Sequence, residues 1–257
     1  MLNKIFKLIR YTGGILMNYF NNQKLLNISY KLDKSPITNA DQIVNNIIYE
    51  KLRILFPNIP VLSEECLPDW NTYQFWNRYW LIDPLDGTKE FLNNNKDFSI
   101  NIALIEDGVP ILGVIYMPYS NILYYADKKN TWKETNNHIE KIYIKNSYPP
   151  TIALSRSHPD KNINKYLKII GNHKVITVGS SLKFCLVAEG TAQIYLRLGT
   201  TNIWDTGAGE IIVKSAGGTV IGLDNKPLNY FPRTFFSNSG FYVGTLELIK
   251  LINSNII

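Results

Sequence analysis

The segment at residues 79–87, Tyr-Trp-Leu-Ile-Asp-Pro-Leu-Asp-Gly, restricts the possible folds of this chain more than any other. Residues 79–82 have the composition of a buried strand, and Asp83-Pro84-Leu85-Asp86-Gly87 demands a turn directly behind it. Such a strand delivers two carboxylates to one end of a sheet. Neighbouring negative charges repel unless a cation or a proton is shared. With 27 Lys and Arg against 21 Asp and Glu, the chain has no general excess of acid to account for the cluster. A hard divalent cation does account for it, because Mg²⁺ takes oxygen ligands and is commonly shared between a few carboxylates and a substrate phosphate. Asp83 and Asp86 can face one point across the tight turn, as can the Leu85 carbonyl. Glu64, at the end of a neighbouring strand over residues 61–62, can complete the site.

The surrounding pattern predicts an α/β chain. Thr38-Asn39-Ala40-Asp41 reads as a helix start followed by Ile43, Ile47, Ile48 and Leu52 on one face, with Pro57 and Pro60 closing the element. Residues 98–105 and 111–116 form a hairpin around Glu106-Asp107-Gly108, and residues 123–126 extend its sheet in antiparallel fashion. The stretch 133–150 is polar and ends in Tyr148-Pro149-Pro150, which places a domain boundary near residue 147, dividing the chain into 1–147 and 148–257. The second unit holds strands at 151–155 and 192–198, a helix at 181–189, and a helix over about 206–216 stopped by Gly217-Gly218. The N-terminal twenty residues set Lys4, Lys7 and Arg10 among apolar residues at helical spacing. They suit neither a signal peptide nor a membrane span of about 20 apolar residues. An amphipathic helix packed on the core fits them, and peripheral contact with anionic lipid is the second reading.

Asp205 lies in Ile203-Trp204-Asp205-Thr206-Gly207, where the last long helix starts. It can ligate a second metal beside helix N–H groups that favour a phosphate, and taken alone it also reads as a plain N-cap. Other chemistries lose support. His138, His158 and His173 have no metal-ligand spacing, and no GxxxxGK[ST], GxGxxG or GxSxG occurs. Cys66 and Cys185 are too few for a disulfide framework, which fits a reducing, cytoplasmic compartment, and Cys185 between Phe184 and Leu186 reads as core. The formal charge of +6 suits an anionic partner of any size, and a bias toward Asn, Ile, Lys and Tyr explains part of it.

Three segments now carry a resemblance. LSEE at 62–65, WLIDPLDGTKEF at 80–91 and WDTGAGE at 204–210 are similar, in order and spacing, to the signatures of the inositol monophosphatase superfamily. Lys89-Glu90, SRSH at 155–158 and GSSLKFCLVAEG at 179–190 resemble its bacterial 3′(2′),5′-bisphosphate nucleotidases. The resemblance implies a layered α/β/α/β/α sandwich with mixed, largely antiparallel sheets, and two or three Mg²⁺ ions. By the same implication Glu64, Asp83 and the Leu85 carbonyl hold one metal, while Asp83, Asp86 and Asp205 hold another. The metals clamp a phosphate oxygen and activate a water for in-line attack. Thr88 orients that water, and Asp41 hydrogen-bonds Thr88; by itself Asp41 is an ordinary first-turn acid.

Glu64, Leu85, Asp86, Gly87, Thr88 and Asp205 are expected to touch the substrate. Ser155, His158, Gly179 and Lys183 match positions that contact the nucleotide, with Arg197 as a second phosphate partner. Alone, His158 reads as a loop cap, Lys183 as a solvated helix residue and Arg197 as a strand end. The implied reaction is hydrolysis of adenosine 3′,5′-bisphosphate to AMP and phosphate, in support of sulfate assimilation and nucleotide recycling, inhibited by Li⁺. Its sulfated relative is open as a second substrate. Inositol or sugar monophosphatase activity, and RNA or transcription-complex binding on the same scaffold, are the alternatives, with no stable nucleic-acid partner expected. The expected place is the cytoplasm, with the cytoplasmic face of the inner membrane as the peripheral option.

Overall fold

The computed structural model describes residues 1–136 and 138–256. Helix α1 (Leu2–Asn21) buries Ile5, Leu8, Ile9, Leu16 and Phe20, so the apolar stripe of the N-terminus packs on the core. Arg10, on its flank, forms an ion pair with Glu134 at 2.7 Å. No helix among the described residues is long and apolar enough to cross a membrane. A short antiparallel hairpin, β1 (Ile28–Tyr30) and β2 (Pro36–Thr38), feeds α2 (Asn39–Leu55). Thr38 caps α2: its hydroxyl accepts from Ala40 and Asp41 N–H, while Asp41 Oδ2 accepts from Thr38 N–H at 2.8 Å.

The buried face of α2 differs from the predicted one. Ala40, Val44, Ile48 and Leu52 are buried, Ile47 is half-buried, and Ile43 is 37% exposed. Two polar residues share that face, which rotates the stripe away from the simple apolar pattern: Asp41 meets Thr88, and Asn45 accepts from the Ser63 hydroxyl at 2.6 Å.

The large sheet has seven strands. β3 (Val61–Ser63), followed by a short helix α3 (Trp70–Tyr73), runs parallel to β4 (Arg78–Asp86). A short helix α4 (Thr88–Leu92) comes next, and the rest is an antiparallel meander through β5 (Ser99–Glu106), β6 (Val109–Met117), β7 (Ile122–Asp127), β8 (Thr131–Thr135) and β9 (His138–Lys141). Asp107 and Gly108 both have positive φ, 50° and 70°, as a tight hairpin turn matched to strand twist requires. The polar start of the 133–150 stretch is therefore not loop but the edge of this sheet. Its strands read as polar because all four residues of β9 are exposed.

The second half builds a five-stranded sheet from β10 (Thr151–Ser155), helix α5 (Ile163–Ile170), β11 (Lys174–Val178), helix α6 (Leu182–Ala188) and β12 (Ile194–Arg197). After the short β13 (Thr201–Asn202) and α7 (Ile203–Ser215) come β14 (Thr219–Gly222), β15 (Ser237–Asn238), β16 (Phe241–Gly244) and α8 (Leu246–Asn255). The strand order is β11-β10-β12-β16-β14, parallel among the first three and antiparallel around β16, while β13 pairs with β15.

Strand alternation sorts the core into three clusters, and these define five layers. Trp80, Ile82, Ile102 and Val114 face α1 and α2. Leu81, Ala103 and Ile115 face the opposite way, where α6 and α7 lie between the sheets and Ala153, Tyr195, Phe241 and Val243 close the far side. Ile152, Ile194 and Tyr242 turn outward onto α5 and α8. This is the α/β/α/β/α sandwich. Residue 147 falls between the last strand of one sheet and the first of the other, yet α6 and α7, from the later half, share one core with both.

Contact between α7 and the large sheet is close at Gly113, where an added Cβ would lie 2.5 Å from Ile211 Cγ2 and 2.6 Å from the Ala208 carbonyl oxygen. Backbone cannot yield there. Gly113→Val is expected to cost about 1–3 kcal/mol of stability by forcing helix and sheet apart. A chemical-denaturation midpoint unchanged from wild type would contradict this packing.

Candidate active site

Each acid arrives on a different element. Glu64 directly follows β3 and is tied to β4 by its N–H on the Ile82 carbonyl, 3.1 Å. Asp83 and Asp86 occupy the end of β4, where the register with β5 shifts between them and Asp83 pairs with Asn101 while Asp86 pairs with Ser99. Asp205 is the third residue of α7. The helix begins at Ile203, three residues before the predicted start, with Asn202 as N-cap, because the Ile203 N–H is fixed to the Phe236 carbonyl at 2.7 Å. Asp205 is thus a first-turn acid and not the cap. Carboxylate oxygens of Glu64, Asp83 and Asp205 all lie within 4.8 Å of one another.

Burial pushes the Asp83 and Asp205 carboxyls well above the usual range, and their acidic neighbours add to it; the two share a hydrogen bond. Burial also raises Glu64 to about 7 against the pull of Lys31, whose Nζ lies 2.7 Å from both Glu64 and Glu65. Burial raises Asp41 to about 6 against hydrogen bonds from Thr38. Asp86 is held differently: its Oδ2 accepts from the Ser181 N–H and hydroxyl, each at 2.6 Å, and from Asn101 Nδ2 at 3.2 Å. Among the described residues no hydrogen bond falls on its Oδ1. An all-oxygen donor set whose members resist sharing a buried space without a counter-charge fits a divalent cation.

Support for α7 comes from behind. Buried Glu210 accepts from the Tyr230 hydroxyl at 2.8 Å and pairs with Lys214, while the Tyr79 hydroxyl donates to the Tyr230 carbonyl at 2.6 Å. The helix that carries Asp205 is thereby bound to β4, which carries Asp83.

A cavity of about 430 Å³ opens above the acids. Of the predicted residues, Glu64, Asp86, Gly87, Thr88, Ser155, His158, Lys183, Arg197 and Asp205 line it. Asp83 and Leu85 lie buried beneath. The Thr88 hydroxyl is 3.2 Å from both Asp41 Oδ1 and the Leu85 carbonyl oxygen. Lys183 is no solvated helix residue: it is 6% exposed, its Nζ donates to the Ser180 carbonyl at 2.5 Å, and it lies over the Tyr195 ring. Arg197 does end its strand, with its guanidinium turned to the His158 carbonyl, Thr201 and Thr200. Gly179 sits outside the cavity wall. Its N–H goes to Asp97, and an added Cβ would meet Glu90 Cγ at 2.6 Å.

Sequence reasoning missed Lys31, Ser181 and Asn101. Ser181 stands at the cap of α6 and Asn101 inside a strand, positions where such residues are common, so only their convergence on Asp86 sets them apart. Lys31 is one lysine among many in an exposed hairpin, with no signal to mark it.

A five-layer sandwich around a cation site made of carboxylates defines a class of metal-binding α/β proteins. The sequence model of the inositol monophosphatase family matches residues 1–254, and the chain belongs to that family. It is 47% identical over 243 residues to the 3′(2′),5′-bisphosphate nucleotidase CysQ of Escherichia coli strain K12, with 95% of this chain and 99% of the relative covered. Identity is 50% over 249 residues to the CysQ of Buchnera aphidicola, covering 96% and 94%. Among solved structures, CysQ from Bacteroides thetaiotaomicron matches with a TM-score of 0.80 at 31% identity, covering 95% of this chain and 97% of that one. The Thermotoga maritima IMPase matches with the same TM-score at 26% identity, covering 98% and 96%.

The raised acids make a prediction about stability. Asp41 and Glu64 rise from ordinary values of 3.8 and 4.5 to about 6 and about 7. Within that window the folded chain binds more protons than the unfolded one, so metal-free protein should lose stability as pH rises from about 4 to about 7. Mg²⁺ bound by the ionised acids should restore it. Melting temperatures in chelator and in Mg²⁺ across this range test both halves, and a chelated protein that gains stability toward pH 7 would refute the first.

Proposed function

We propose that the chain is a metal-dependent 3′(2′),5′-bisphosphate nucleotidase that removes the 3′-phosphate of adenosine 3′,5′-bisphosphate and releases AMP. The observation that carries this reading is the mixed charge of one cavity, lined by the carboxylates Glu64, Asp86 and Asp205 and by the cations Lys89, Lys183 and Arg197. A substrate with two phosphates offers one to the metal-binding acids and one to the cations. An inositol or sugar monophosphate has no group for the second.

Glu64, Asp83, the Leu85 carbonyl, Asp86 and Asp205 would hold two or three Mg²⁺ ions. Bound there, the cations would neutralise the charge that develops on the phosphate. The protein's own residues supply the rest. The Thr88 hydroxyl donates to Asp41 Oδ1, which leaves its oxygen lone pair to accept from a water and aim it at phosphorus. As the water oxygen bonds to phosphorus and the bond from phosphorus to the 3′-oxygen breaks, a proton passes through Thr88 toward Asp41 and the 3′-oxygen gains one from solvent. Burial favours protonation of Asp41 and so suits it to receive that proton. The first turn of α7 presents N–H groups beside Asp205, a setting that favours a phosphate. Lys183, fixed by Ser180 and Tyr195, supplies positive charge for the 5′-phosphate.

Phosphate release from adenosine 3′,5′-bisphosphate in Mg²⁺ is expected to exceed release from inositol 1-phosphate, and Asp83→Asn is expected to abolish it. Thr88→Ala should slow turnover by about 10²–10⁴-fold with folding intact. Faster hydrolysis of inositol 1-phosphate would replace the nucleotidase reading with a monophosphatase.

A further inference from the structure

Three cations line the cavity, and they are not equivalent. Arg197 is tied by three hydrogen bonds to backbone and hydroxyl oxygens, and Lys183 is buried on the Ser180 carbonyl. Lys89 is exposed, and among the described residues its side chain has one partner, the imidazole of His158, with Nζ 3.1 Å from Nε2. That contact joins α4, on the side of the large sheet, to the loop after β10, on the other wall. An ammonium only donates, so Nε2 must accept, and the imidazole proton sits on Nδ1. Burial, with Lys89, Arg197 and Lys183 around it, lowers the pKa of His158 and keeps it in this neutral form.

We infer that Lys89 is the residue that distinguishes a nucleotide bisphosphate from a monophosphate, poised over the cavity by His158 and transferred to the unhydrolysed 5′-phosphate when substrate enters. The inference rests on the nucleotidase reading of the same cavity. Lys89 follows Thr88 directly in sequence, and its side chain reaches across to His158 on the other wall of the cavity. A neutral imidazole is a weak holder for an ammonium, and a phosphate of charge about −1.5 to −2 is a far stronger acceptor. Lys183 and Arg197 add positive charge from fixed positions, and turning either one onto a phosphate would cost it protein partners. Lys89 exchanges only the imidazole. In this arrangement His158 is a positioning residue that keeps the lysine from ranging through solvent.

The test compares wild type, Lys89→Ala, Lys89→Arg and His158→Ala on adenosine 3′,5′-bisphosphate and on 3′-AMP in Mg²⁺. In Lys89→Ala the ratio of kcat/KM for the bisphosphate to that for 3′-AMP is expected to fall at least about tenfold, mainly through KM, as loss of a charge-assisted hydrogen bond implies. Lys89→Arg should recover most of the ratio, and His158→Ala should lose part of it. Equal losses on both substrates, or none, would overturn the assignment. Calorimetric binding of 5′-AMP and of adenosine separates this from the underlying function: Lys89→Ala should weaken 5′-AMP at least tenfold more than adenosine. A wild-type enzyme that does not prefer the bisphosphate would sink the nucleotidase reading, and the binding comparison would still decide for or against Lys89.

Discussion

Mutual repulsion of crowded carboxylates, one buried and two half-buried, is the constraint on which the rest of this structure depends. Glu64, Asp83 and Asp205 come from three separate elements and would move apart if those elements were free to shift. Packing prevents it. Strands β3 and β4 are parallel neighbours, which fixes Glu64 relative to Asp83, and α7 is clamped onto the same sheet by close contact at Gly113 and by the Glu210, Tyr230 and Tyr79 network. The apolar interior that does this is nearly fully excluded from water, with Leu81 at 1% and Ile212 at 0% exposure. The energy gained by burying those side chains holds together a charge cluster that is unfavourable by itself.

Much of this was legible in the sequence, for identifiable reasons. The end of β4 could be read because proline, aspartate and glycine follow an apolar run, a combination with few structural meanings. The hairpin at Asp107-Gly108 and the capping box at Thr38 are equally local signals. The roles implied for Asp83, Asp86 and Asp205 came from motif order and not from periodicity, since a lone first-turn aspartate is common. What stayed hidden depends on long-range meeting. Lys31 finds Glu64 across 33 residues, and Ser181 finds Asp86 across 95. The edge strands β8 and β9 were hidden for another reason, because an exposed edge keeps little of the apolar alternation that marks a strand. Likewise, the start of α7 is set by a bond from Ile203 to Phe236, which no local pattern encodes.

The acids of the cavity and the residues expected to meet the nucleotide have different structural origins. The acids hang from β3, β4 and α7, whereas Ser155, His158 and Arg197 come from the smaller sheet and its loops. Lys183 joins that group from α6, in the layer between the sheets. The lining therefore draws on both sheets and on the helices that separate them. Asp86 shows how closely the two groups are linked, since its carboxylate is held by Ser181, which stands at the N-terminal boundary of the helix carrying Lys183.

That placement of Ser181 has a consequence for how such a cavity can diversify over generations of sequence change. Among the described residues, Ser155 and Arg197 on the outer wall make no hydrogen bond to the acids, so lineages can exchange them and acquire new specificities while the hydrolytic apparatus persists. Change at the root of α6 has no such latitude, because Ser181 there holds Asp86 through both its N–H and its hydroxyl. Variation in substrate range within this architecture should therefore accumulate at the rim and leave the root of α6 constant.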